Sequence, residues 1–110
     1  MFTFIEHSTF TKQINALFSD EEYRLLQTEL AANPKIGNVI PGMGGLRKVR
    51  WGAKSKGKRA GARIIYLLIP IPSVIYLFYA YTKGDIRDMN PEQKKRLAKA
   101  VEKIKTEHQQ

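Results

Sequence analysis

The chain has 110 residues, 43% of them hydrophobic, with 19 Lys and Arg against 10 Asp and Glu and a formal net charge of +9. That length suits one domain with a single modest core, expected to run over residues 1–110. There is no cysteine, and only His7 and His108 supply imidazole. A disulfide scaffold, a thiolate nucleophile and a cysteine-ligated zinc site are excluded, and with both histidines near the termini neither a zinc enzyme nor a His-based triad is expected.

The start, "MFTFIEHSTF", lacks the basic opening and long apolar core of a signal peptide, so a cytoplasmic protein is expected. "FTFIEH" alternates Phe2, Phe4 and Glu6 against Thr3, Ile5 and His7 and predicts a first strand. Phe10, Ile14, Leu17 and Phe18 recur at helical spacing, with Ser8 and Thr9 as candidate caps. "SDEE" at 19–22 is a capping-box pattern, in which Ser19 accepts from the third helical amide and Glu22 reaches back. Tyr23, Leu26 and Leu30 give the second helix its apolar stripe, and "NP" at 33–34 ends it.

"IGNVIPGMGG" follows, with four glycines and a proline, and predicts a loop. "LRKVRW" sets Leu46, Lys48 and Arg50 on one face of a strand and Arg47, Val49 and Trp51 on the other. "GAKSKGKRAGA" is a cationic connection. It fails the phosphate-binding GxxxxGK[ST] pattern because Arg59 follows Lys58. Ile64 to Tyr81 is apolar and nearly long enough to cross a bilayer, but Pro70, Pro72 and Ser73 stand at its centre. It predicts two antiparallel strands, Arg63 to Ile69 and Val74 to Tyr81, rather than a membrane helix. Asn90 caps a last helix with Pro91 at its first position and Leu97, Val101 and Ile104 facing inward. The order β-α-α-β-β-β-α predicts an α+β fold: a small antiparallel sheet covered by helices on one face.

Charge is concentrated in the middle of this plan. Between Leu30 and Gly84 stand ten Lys and Arg and no acid, while the remaining residues are close to neutral. One basic face on a neutral body is the footprint of a polyanion partner. Without an acid between Glu29 and Asp85, paired-carboxylate chemistry and a carboxylate magnesium site have no residues in this segment. Lys, Arg and Tyr instead suit metal-independent RNA cleavage, with no cofactor. A base takes the proton of the ribose 2′-hydroxyl, cations hold the phosphorane, and an acid protonates the leaving 5′ oxygen. A lysine crowded by other cations has its pKa lowered and can serve as base. Arginine stays charged and clamps a phosphate through its planar fork.

"NPKIGNVIPGMGGLRKVRWGAKSKGKRAGARIIYLL" closely resembles the HigB branch of the RelE-like toxins, in the RelE/ParE superfamily. Its glycine loop, "GLRKVR", basic linker and "RIIY" carry the likeness, and the flanking elements, including "YTKGDIRDMN", are compatible with it. The resemblance implies a RelE-like microbial RNase fold and a type II toxin that cuts mRNA in the ribosomal A site. Arg63 matches the family's phosphate-stabilising arginine. Lys48 and Arg50 match its basic pair, with Lys48 as base, and Lys83 matches a basic residue after the last strand. Arg47, Lys54, Lys56, Lys58 and Arg59 would add grip on RNA, with Trp51 and Tyr81 as stacking candidates and Tyr79 beside them.

Two positions depart from the pattern. Gly84 stands where relatives carry a second catalytic arginine, and Asn90 where they place a catalytic tyrosine. Two rivals share the composition or the fold: a non-catalytic RNA-binding module and a ParE-like gyrase inhibitor. The expected partners are the ribosome, mRNA and a HigA-like helix-turn-helix antitoxin, with operator DNA reached only through that antitoxin. No membrane or metal is expected to take part.

Overall fold

The computed structural model describes residues 2–52, 61–82 and 90–108. In chain order these form β1 (Thr3–Glu6), α1 (Ser8–Leu17), α2 (Asp20–Ala32), β2 (Asn38–Val39), β3 (Arg47–Trp51), β4 (Ala62–Ile69), β5 (Val74–Tyr81) and α3 (Pro91–Glu107). The strands make one sheet in the order β1-β5-β4-β3-β2. The architecture is α+β, as expected, but three of its details differ from the sequence reading.

First, the sheet is mixed. β1 lies parallel to β5, with Thr3 opposite Val74 and Glu6 opposite Leu77, while the other pairs are antiparallel. Alternation within "FTFIEH" marks a strand but carries no information about its direction against a partner. Second, the glycine-rich segment is not all loop, because Asn38 and Val39 pair with Lys48 and Arg47 as a short edge strand. Gly42 and Gly44, at φ of 72° and 71°, then turn the chain back into β3 in a conformation that side chains with a Cβ disfavour.

Third, helices cover both faces rather than one. Phe10, Ile14, Leu26 and Leu30 of α1 and α2 pack with Ala62, Ile64 and Tyr66 of β4. Leu97 and Val101 of α3 pack with Ile65, Leu67 and Ile69, the intervening residues of the same strand. β4 is therefore apolar on both sides along most of its length, which is why it reads as a continuous hydrophobic run. No helix among the described residues is long and apolar enough to cross a membrane, and the apolar stretch is indeed β4 and β5.

The anticipated capping box at Ser19 forms, and the expected Asn90 cap is a second one. Ser19 accepts from the Glu22 amide at 3.2 Å while the Glu22 carboxylate accepts from the Ser19 amide at 2.8 Å. Asn90 and Gln93 make the same reciprocal pair at 2.8 and 3.0 Å. α1 begins differently: His7 occupies its cap position with no side-chain hydrogen bond, and Ser8 and Thr9 are already helical.

Candidate functional site

β3, β4 and β5 bring basic and phenolic side chains into register. Arg50 lies directly opposite Arg63, and Arg63 directly opposite Tyr81. The next row on that face runs Lys48, Ile65, Tyr79. Neighbouring strands sit about 4.8 Å apart, which brings Arg50 and Arg63 close enough to share one small anion, while the Tyr81 hydroxyl is buried in the sheet. The parity of β4 puts Arg63 on the same side as Ile65 and Leu67, the side that α3 covers further along.

An irregularity in β5 makes this assembly possible. Ile65 pairs with Tyr79 but Tyr66 pairs with Leu77, so Phe78 is an extra residue in the ladder. Phe78 and Tyr79 consequently both join the α3 side, together with Tyr81. Such bulges re-aim side chains, and here two tyrosines are aimed beside the arginines.

The Arg50–Arg63 pair is unfavourable in isolation, because like charges directly opposite on adjacent strands repel. Arg50 is exposed and Arg63 half-buried, so solvent reaches both. Arg63 Nη1 donates to the carbonyl of Thr82 at 3.3 Å, which holds its guanidinium toward the end of β5. Two planar forks on directly opposite residues suit an anion with several oxygens, such as a phosphodiester.

Not every expected residue joins them. Arg47 and Trp51 stand on the opposite face with Val49, by the alternation of β3. Trp51 packs against the α1/α2 core. Arg47 Nη1 donates to the carbonyls of Gly37 at 2.7 Å and Lys35 at 3.4 Å, clamping the segment before β2. Lys54, Lys56, Lys58, Arg59 and Lys83 lie outside the described residues. Asn90 is committed to capping α3. Among the described residues no group of three or more His, Cys, Asp or Glu could hold a metal ion.

Tyr66 supports the site from behind. Fully buried, it donates to the carbonyl of Pro34 at 2.8 Å and accepts from the amide of Gly37 at 2.9 Å. Burial pushes its pKa above the ordinary value, partly offset by the Gly37 hydrogen bond and the Arg47 charge. Gly37 has no room to change, since a Cβ there would come within 2.9 Å of the Tyr66 ring. The Tyr66–Gly37–Arg47 contacts fix β2, and β2 fixes Lys48 through the Asn38 pairing. A single "Y" in "RIIYLL" gives no hint of this long-range bond.

No family model matches the chain. Among solved structures it is similar to a mutant of the E. coli toxin RelE in the free state, with a TM-score of 0.54 and 20% sequence identity over 72% of this chain and 80% of that one. The fold is RelE-like. The likeness is one of architecture, and the RelE-like sheet is the frame on which the Arg50–Arg63–Tyr81 row is mounted.

Proposed function

We propose that the protein is the toxin of a type II toxin–antitoxin pair, acting in the cytoplasm as a ribosome-dependent, metal-independent mRNA endonuclease of the HigB-like kind. The observation that carries this reading is the cross-strand row Arg50, Arg63, Tyr81, with Lys48 and Tyr79 in the next row, on a RelE-like sheet. Arg50 and Arg63 hold the scissile phosphate and take up the charge that develops on it. Lys48 receives the proton of the 2′-hydroxyl, which attacks the adjacent phosphorus. Tyr79, which lines the open groove beside this row, delivers a proton to the departing 5′ oxygen. Lys83 and the cations of residues 54–59 add phosphate contacts, and a helix-turn-helix antitoxin silences the toxin.

The role of Asn90 favours one competing reading. A helix cap cannot transfer protons as a tyrosine there would, which suits a module that grips RNA without cutting it. Primer extension on a translated message, with and without ribosomes, separates the two. Cleavage only in translated codons supports the nuclease. Ribosome binding without any cut supports the RNA-binding module.

A further inference from the structure

An open groove of roughly 410 Å³ runs between the start of α1, the end of β5 and the outer flank of α3. Phe78 and Leu97 form its floor, both almost completely buried. His7, Thr9, Tyr79, Gln93 and Arg96 line its sides. Its size falls within the span of about 300–1,000 Å³ typical of small-molecule sites. An apolar floor with hydrogen-bonding walls and a cation suits a flat, polar, negatively charged ligand.

Two observations decide which one. The first is continuity: Tyr79 lines this groove and also ends the Lys48–Ile65–Tyr79 row. Tyr79 and Tyr81 are two residues apart on one face, about 7 Å along the strand, which spaces them as platforms for consecutive bases. The second is charge. Arg96 makes no hydrogen bond or ion pair among the described residues, and it borders a second hollow lined by Glu92, Lys95 and Lys99. α3 carries six Lys and Arg against three Glu, so cations prevail along it despite Glu92. The His7 and Phe78 rings, 5.7 Å apart and inclined by 31°, supply a further aromatic wall.

We infer that this groove is a subsite for a nucleotide just outside the trinucleotide that is cut, its base over Phe78 and Leu97 between His7 and Tyr79 and its phosphate at Arg96. The inference rests on the RNA-binding reading given above. It extends the contact surface from the strand row onto α3, so RNA leaves the cleavage face along β5 rather than past the β2 edge.

The test uses the full chain and two single-stranded RNAs, a trimer and a nonamer containing it, 2′-O-methylated throughout to block cleavage. Fluorescence anisotropy measures affinity across a salt series. Arg96→Ala is expected to weaken the nonamer about tenfold and leave the trimer unchanged, with a salt slope shallower by about 0.7 for the lost phosphate contact. Arg96→Lys, which keeps the charge, is expected to retain that slope. Arg63→Ala should weaken both RNAs. Nonamer affinity and slope equal to wild type in Arg96→Ala overturn the subsite alone. A wild-type chain with no affinity for either RNA overturns the subsite, and primer extension with ribosomes then decides the nuclease reading separately.

Discussion

On the α1/α2 side of the sheet, β3 and β4 present Val49, Trp51, Ala62, Ile64 and Tyr66 to an apolar core. On the α3 side the same two strands present Lys48, Arg50 and Arg63 before Ile65 and Leu67 pass under the helix. Side-chain alternation thus divides the strands into a structural face and a face that is structural at one end and cationic at the other. The contrast separates residues that look equivalent in the sequence. Arg47 and Arg50 are three positions apart in "RKVR", yet Arg47 bonds the protein's own carbonyls while Arg50 faces another arginine. A basic residue satisfied by its own chain serves the fold. A repulsive pair left in place on the surface points to an anion supplied from outside.

Breaking the cationic end should have the largest consequence. Arg63→Ala is expected to lower mRNA cleavage by about a hundredfold or more, the usual loss for a preorganised donor to a developing charge. Its melting temperature should stay near wild type, because the Arg63 contact to Thr82 is exposed. Arg63→Lys should be impaired as well, since a point charge does not reproduce the fork. Full toxicity in a folded Arg63→Ala chain would reduce the row to ordinary surface charge.

The structural face is tested by Tyr66→Phe. Removing the hydroxyl leaves the buried Gly37 amide without its acceptor, and urea unfolding should show a loss of about 1–3 kcal/mol. Arg47→Ala sharpens the division with a smaller effect. It should cost about 1 kcal/mol of stability through the Gly37 carbonyl while RNA affinity changes less than in Arg50→Ala. Equal losses of RNA affinity in both variants would mean that the two faces are not functionally distinct.

Much of this division was legible in the sequence. The "LRKVRW" alternation already separated Lys48 and Arg50 from Arg47, and "SDEE" and "NPEQ" announced two helix starts that form as expected. Local patterns carried that information because their partners lie within a few residues. The parallel pairing of β1, the second helical layer and the Tyr66 bond connect residues tens of positions apart, and short-range periodicity is silent about them. The bulge at Phe78 is equally hidden: "YLFYAY" is apolar or aromatic throughout, so nothing in it marks where alternation slips. That slip decides which tyrosines stand beside Arg63. The groove at Arg96 was missed for a similar reason, since His7, Tyr79 and Gln93 meet only once α3 is folded over the sheet.

The smallest effect near neutrality is a titration that weights the two faces differently. Tyr23, Tyr66 and Tyr76 all have pKa values raised above the ordinary 10.0, chiefly because burial disfavours the phenolate. Tyr23, which carries a large shift, is raised further by Glu6, whose carboxylate accepts its hydroxyl at 2.6 Å, and Tyr76 by the charge of Glu107. In the unfolded chain these groups lose protons near 10, while the folded chain still holds them. The native state therefore binds more protons, and stability must fall as pH rises. The contribution is complete below about pH 10 and is lost progressively above it. Tyr23 and Tyr66 belong to the α1/α2 side and Tyr76 to the α3 side, so alkali should weaken the structural face more. Urea midpoints measured between about pH 8 and 11 should be level at first and then drop, and Tyr23→Phe should flatten the drop more than Tyr76→Phe does. A midpoint that holds steady across the whole range would show that these hydroxyls stay in water, and would take away the picture of a tightly closed α1/α2 face.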